Sequence, residues 1–251
     1  MYPVEHYSWD ALVNESANLA SSESPTRQGH DRDKSFYLNS DNPLSTTLRL
    51  DLSPSKVMKG GFKIAALGTS TTCLFKSNTA EICAKRTYHS VEHVVEQNGS
   101  FVTKSDAIPF EGRKQFQNLS MEIACTVWAQ ALLDLVYKFI SQEDSLAGCC
   151  PLNIPKFRFV ELALAMEGSP DGTKKQNGAV FLVKEVIAEE KEGCFLKYLN
   201  NVSPVPLTTT CKQDEIRAKF LAFSQHVQYW KTKKQVFVSD YQGKKIQIIS
   251  Y

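Results

Sequence analysis

Apolar residues along this chain fall into runs of two different periods, preceded by a stretch with neither. Residues 14–43, "NESANLASSESPTRQGHDRDKSFYLNSDNP", are rich in Ser, Asn and Asp, mixed in charge, and present no repeating apolar face. That composition predicts a disordered segment over 1–45 and a folded domain over 46–251. From Leu48 onward the pattern changes. "FKIAALGTSTTCLF" and "AEICAKRTYH" are short, rich in branched residues and bounded by Gly, Ser, Thr and Asn, as strands of an antiparallel pair or meander are. "GRKQFQNLSMEIACTVWAQALLDLVYKFI" has a longer period. Phe116, Leu119, Ile123, Val127, Ala131 and Leu135 recur at steps of three and four, and Trp128, Leu132 and Phe139 widen the stripe. This predicts a long helix buried on one broad face, ended near Gly148 and Pro151.

Two further strands, in "KFRFVELALAMEG" and "GAVFLVKEVI", flank the turn-rich "SPDGTKKQNG". "KQDEIRAKFLAFSQHVQYW" returns to helical spacing with acids in its first turn, and "KKQVFVSD" reads as a last strand. Strands, long helix, strands, helix, strand, with neighbours joined by short turns, make an α+β fold with a mainly antiparallel sheet.

Composition narrows this only a little. Of 251 residues 42% are hydrophobic and 22% charged, with a formal charge of +2, so the chain is globular in character and no electrostatic case for nucleic acid exists. The longest apolar runs are interrupted by charge, so no membrane span is expected. The first residues carry no basic-then-apolar leader, which predicts an intracellular, cytoplasmic protein. Seven cysteines (73, 83, 125, 149, 150, 194 and 211), odd in number and without a CxxC, predict buried thiols rather than a disulfide framework. Asn98-Gly-Ser100 matches the glycosylation acceptor pattern and, with no export signal, is taken as a chance match.

Several residues could carry chemistry, and each has a plain alternative. Lys85 follows "EICA" near a strand end, with alternation placing Cys83 and Lys85 on one face and Ile82 and Ala84 on the other. A lysine there can face nucleotide phosphates, or simply guard a strand edge. Gly60 and Gly61 could let the backbone approach a phosphate, or form an ordinary turn. Glu122, in the first half of the long helix, could hold Lys85 in place or lie in solvent. His226 could ligate a metal, although a closed zinc site needs three more ligands. Asp240 and Gln242 stand at i and i+2, so in extended backbone they point the same way; a carboxylate can accept a hydroxyl proton and an amide oxygen can bind Mg²⁺. A hairpin turn accounts for the same two residues.

The order of these pieces is more telling than any one. "GGFKIAALG", "EICAKR", "MEIACTVWAQALLDLVYKFI", "GAVFLVKEVI", "GCFLKYLNN", "FSQHVQYW" and "VFVSDYQG" together resemble the alpha-kinases, atypical serine/threonine protein kinases, from about Lys59 to Gly243. The resemblance implies a two-lobed protein-kinase-like fold with an antiparallel N-lobe sheet, ATP and Mg²⁺ as cofactors, and a protein substrate whose identity stays open. It implies that Lys85 binds nucleotide, that Gly60 and Gly61 lie near the phosphate-covering loop, and that Val180–Val186, including Glu185, forms the hinge strand. It makes Asp240 catalytic, Gln242 a Mg²⁺ ligand and His226 the first of four structural Zn²⁺ ligands. Two departures go with it. Lys184 stands beside Glu185 where an acid pair is usual. "KKIQIISY" also carries neither the second metal-binding aspartate nor the remaining zinc ligands, so a truncated C-lobe that does not hold Zn²⁺ is expected. The alternative expectation is a degenerate relative that binds ATP weakly or serves as an interaction module.

Overall fold

A computed structural model describes residues 1–13, 44–147, 154–168, 178–187, 195–244 and 247–249. These form two compact units, one from Met1–Ala124 with Glu161–Val186 and the other from Cys125–Val160 with Ile187–Tyr251.

The first unit is built from β1 (Tyr2–Tyr7), β2 (Leu44–Leu50), β3 (Met58–Lys59), β4 (Lys63–Ser70), β5 (Glu81–Gln97), β6 (Ser100–Pro109), β8 (Leu162–Glu167) and β9 (Val180–Glu185). They form an eight-stranded sheet in the order β3-β4-β2-β1-β8-β9-β5-β6, and β4 also pairs with β5. That extra pairing closes β4-β2-β1-β8-β9-β5 into an antiparallel ring. Strand alternation fills the ring's interior with Val4, Leu48, Ile82, Ala84, Ala163, Ala165, Phe181 and Val183, capped by Leu74 and Phe75. Ile82 and Ala84 therefore point inward, and Cys83 and Lys85 outward, as the sequence pattern predicts.

At Gly68 two strands of the ring approach closely. A Cβ there would clash with the Arg49 carbonyl oxygen and lie 3.0 Å from the Leu50 Cα, while at Gly61 it would meet nothing within 4 Å. Gly68→Ala is expected to cost about 2–3 kcal/mol, through a clash with backbone that cannot swing aside. Gly61→Ala should leave the thermal midpoint in place. A scanning-calorimetry comparison of the two variants checks this, and equal midpoints would remove the close-approach argument.

The second unit contains β7 (Arg158–Phe159), β10 (Leu196–Lys197), β11 (Gln242–Lys244) and β12 (Gln247–Ile249), in the order β10-β11-β12-β7. Helix α2 (Lys212–Lys231) lies where the periodicity puts it. Its first-turn acids Asp214 and Glu215 are paired to Arg217 and Lys219. Phe157, Phe159, Tyr198, Leu199, Phe220, Leu221, Val227, Tyr241 and Ile248 make this unit's core.

Helix α1 (Gly112–Ala147) supplies side chains to both units. Its first half buries Gln115, Leu119 and Ile123, and its second half gives Ala129, Leu132, Leu133 and Val136 to the second core. Two members of the expected stripe lie outside it: Ala131 is exposed and Trp128 is 57% exposed, because the buried arc turns toward Ala129 and Leu133. By length and composition the helix over Gly112–Glu143 holds an 18-residue window, of mean hydropathy 1.4, apolar enough to cross a membrane, which corrects the expectation that no stretch qualifies. Here the helix is occupied by core contacts and by ion pairs to strands.

Other expectations also change. Residues 2–7 are not disordered: β1 pairs with both β2 and β8 and buries Val4, His6 and Tyr7. Residues 14–43 lie outside the described residues. "KKQVFVSD" is not a strand. At Val238 the backbone bonds go to side chains instead, the N–H donating to Gln228 Oε1 (2.9 Å) and the C=O accepting from Gln225 Nε2 (2.8 Å). Cys73, Cys125 and Cys211 are free and exposed and Cys83 is half-buried, against the expectation of buried thiols; Cys149, Cys150 and Cys194 lie outside the described residues. β6 and the distal half of β5 were not predicted. Their turn is Asn98-Gly99, with φ of 54° and 76°, a two-residue hairpin turn inside the supposed chance acceptor site.

Candidate active site

In the first unit, pairing register gathers cations on the outer face of the ring. Cys83 lies opposite Lys184 and Leu67, Lys85 opposite Leu182 and Ala65, and Thr87 opposite Lys63. Cross-strand partners share a face, so Lys63, Lys85 and Lys184 do as well. The first half of α1 covers part of this face. Gln115 accepts from Thr87 N–H (2.9 Å) and donates to Thr87 C=O (2.6 Å), which fixes the helix against β5.

Glu122 is the anion of this face. Its Oε2 lies 2.5 Å from Lys63 Nζ and its Oε1 2.9 Å from Lys184 Nζ. The helix acid does face the sheet, bridging two lysines that sequence reasoning did not single out as partners. Burial raises its carboxyl, but the ammonium groups of Lys184 and Lys63 outweigh that and hold it at about 2. Burial pushes the Lys184 ammonium down, helped by Lys85 and Lys63, while Glu122 pulls it up. Burial likewise raises the Cys83 thiol, against the pull of Lys85 and Lys184. Lys85 thus sits electrostatically within a cluster of three lysines and one carboxylate. The missed signal was alternation in "VFLVKEV", which puts Lys184 on the face opposite Val183.

Glu185 is buried beside this cluster on the opposite strand face, its Oε1 accepting from Glu161 N–H (3.1 Å). Gly60 and Gly61 form the exposed β3–β4 tip. Gly60 N–H bonds Lys63 C=O (2.8 Å), and Tyr88 Oη donates to the carbonyls of Gly60 (2.7 Å) and Gly61 (3.2 Å). Neither glycine has left-handed backbone; Gly99 and Gly243 are the positive-φ glycines among the described residues.

The second unit carries Asp240, Gln242 and His226. Asp240 has φ of 56°, so the alternation argument fails at this position: the backbone is left-handed, not extended. Its carboxylate is buried, with Oδ1 2.5 Å from Lys197 Nζ. The approach lies off the hydrogen-bonding direction, and Oδ1 has no aligned donor. A buried carboxylate in an uncommon backbone conformation, held by one ammonium, is a strained arrangement of the kind that clusters at functional sites. Its frame is rigid. Tyr241 C=O accepts from Tyr198 N–H (2.9 Å), Tyr241 Oη accepts from Gln228 Nε2 (3.1 Å), and Lys197 pairs in register with Gln242. This explains "LKYLNN": Lys197 meets Asp240, Tyr198 and Leu199 are core, and Asn200 Oδ1 accepts from Val202 and Ser203 N–H to turn the chain.

Asp240 and Gln242 offer oxygen atoms of the type Mg²⁺ takes. His226 is exposed on α2, and among the described residues no three His, Cys, Asp or Glu side chains converge, so the residues do not fit Zn²⁺.

The sequence model of the alpha-kinase family matches residues 59–250, well over half of the chain. Solved structures of the alpha-kinase domain of myosin-II heavy chain kinase A are similar at low identity. The apoenzyme is 13% identical, with 83% of this chain and 74% of that one covered and a TM-score of 0.43. The complex with AMP is 14% identical (82% and 75%, TM-score 0.43), and an inactive form complexed with ATP is 14% identical (82% and 74%, TM-score 0.44). Among curated proteins no sequence relative matches.

Proposed function

The chain belongs to the alpha-kinase family, and from that premise we propose that it is an ATP-dependent protein kinase that transfers the γ-phosphoryl group to Ser or Thr hydroxyls of a protein substrate. The observation that carries this reading is the lysine face of the first unit, with Lys63, Lys85 and Lys184 side by side around Glu122. A face that gathers three ammonium groups suits a polyphosphate. Lys85 neutralises phosphate charge, Glu185 marks the strand that meets the base, and Gly60 and Gly61 border the phosphates. Asp240 orients the acceptor hydroxyl and takes its proton. Gln242 would supply its amide oxygen to Mg²⁺, which would neutralise phosphate charge when bound.

The test is transfer of labelled γ-phosphoryl from ATP to a Ser/Thr peptide library by purified protein. Incorporation at Ser and Thr is expected, and no incorporation with any peptide or with the protein itself removes the catalytic reading. A second reading, nucleotide binding without transfer, is favoured by the ammonium of Lys197 already lying against Asp240. Calorimetric titration with Mg-ATP separates the two when run beside the transfer assay. Binding in the micromolar range is expected, weakened about tenfold or more by Lys85→Ala, since a charge-assisted phosphate contact contributes roughly 1.5–3 kcal/mol. An unchanged dissociation constant would remove Lys85 from the site.

A further inference from the structure

We propose that the outer edge of β6 is a self-complementary docking surface for a second copy of this chain. Beyond Tyr88, β5 and β6 leave the ring as a two-stranded ribbon running from Tyr88↔Pro109 to Gln97↔Ser100. Among the described residues nothing pairs with the far side of β6, the last strand in the sheet order. An isolated two-stranded ribbon is marginal in water, and a strand edge with unpaired N–H and C=O groups is a template for another strand. This one also exposes apolar side chains, with Phe101 79%, Ile108 44% and Val102 42% accessible.

The hydrogen-bond phase of the ribbon shows which β6 groups are available. Phe110 N–H bonds Thr87 C=O at 3.2 Å, so 87 and 110 are a bonded pair in the continuing register. Bonded and non-bonded pairs alternate along an antiparallel ladder, which places Phe101, Thr103, Ser105 and Ala107 at non-bonded positions. Their N–H and C=O groups point away from β5, toward the open edge.

A twofold dimer through this edge pairs β6 with itself, and only registers joining outward-facing residues to one another form a ladder. With Ser105 on the axis, Thr103 meets Ala107 of the second copy and Phe101 meets Pro109. Pro109 lacks an N–H, so the ladder ends there. Between these bonded pairs, Lys104 faces Asp106 and Val102 faces Ile108, each twice by symmetry, at the positions where side chains approach most closely. Shifting the axis to Lys104 sets lysine against lysine, and shifting it to Asp106 sets aspartate against aspartate. An axis at Thr103 puts Val102 against Lys104. One register alone matches charge with charge and apolar with apolar. Asp106 is already 3.6 Å from His93 within the ribbon, so its carboxylate is turned to this same face. The product is a continuous antiparallel sheet, β5-β6 joined to β6-β5 of the second copy, with Val95, opposite Val102, extending the apolar face.

Sedimentation velocity of the full chain up to about 100 μM covers dimers of this expected strength. Wild type should dimerise with concentration. Lys104→Asp and Asp106→Lys should each weaken self-association about tenfold or more, because each sets like charges together twice. An equimolar mixture of the two variants should recover the dimer, since one then supplies two acids and the other two lysines. Ser105→Pro should abolish it by removing the axial donors. A wild type that stays monomeric throughout overturns the proposal. So does a dimer indifferent to both single variants, or a mixture that fails to recover, and either outcome would leave Lys104 as a guard against edge pairing.

Discussion

Asp240→Asn is expected to lower phosphoryl transfer by about 10²–10⁴-fold while Mg-ATP binding stays within about threefold, the loss typical of a removed general base. The substitution suits this position because Asn tolerates left-handed backbone as Asp does, so φ of 56° is retained without new strain. What changes is charge. The amide cannot take a proton from an acceptor hydroxyl, and Lys197 loses the anion 2.5 Å from its Nζ. Asp240→Ala is a poorer test, since an alanine held in that conformation adds roughly 1–2 kcal/mol of strain. Lys197→Gln separates positioning from chemistry. It removes the ammonium and leaves the carboxylate, so transfer should fall far less than in Asp240→Asn. The idea fails if Asp240→Asn retains transfer within about threefold of wild type. It fails equally if the thermal midpoint falls so far that the lost activity is lost fold.

The physical reason the geometry at Asp240 could not be read from the sequence lies in what alternation records. Alternation correctly set Cys83 and Lys85 outside the ring and Ile82 and Ala84 inside, because one face of that strand meets an apolar core. It could not register Lys63, Lys85 and Lys184 against one another. They come from β4, β5 and β9, whose pairing depends on ring closure through β4–β5. "KKQVFVSD" has the composition of a strand, yet the backbone groups of Val238 are met by Gln225 and Gln228 of α2, a long-range exchange invisible to local propensity. The opposite error occurred at Asn98-Gly99. There the local signal was strong, since Asn-Gly between alternating residues favours a two-residue hairpin, but the same letters matched a glycosylation acceptor and were set aside. β1 escaped notice because six residues beside a long polar stretch carry little periodic signal, although Val4 is buried in the ring.

Glu122→Gln is expected to destabilise the protein by about 3–5 kcal/mol, the usual cost of removing one partner from a buried ion pair. At roughly 2–4 °C per kcal/mol for a chain of this size, the thermal midpoint should fall about 6–20 °C at neutral pH. The isosteric amide keeps the shape and leaves the Lys63 and Lys184 ammonium groups facing a neutral acceptor. The pH dependence gives a second reading of the same interaction. The Glu122 carboxyl is held at about 2 against an ordinary 4.5, so its contribution is fully present above about pH 4.5 and disappears as pH falls toward 2. On the order of 3 kcal/mol of wild-type stability should therefore be lost across that acid window, and the variant should lack this part of the slope. The net gain is smaller than that shift alone suggests, because burial works against the Lys184 charge that supplies the attraction. That opposition makes a sharper test available. Lys184→Met in the Glu122→Gln background removes the stranded charge, and the double variant should be more stable than Glu122→Gln alone. A midpoint within 2 °C of wild type, at roughly a fraction of the expected kcal/mol, together with an unchanged acid profile, would mean that the bridge contributes nothing to the fold.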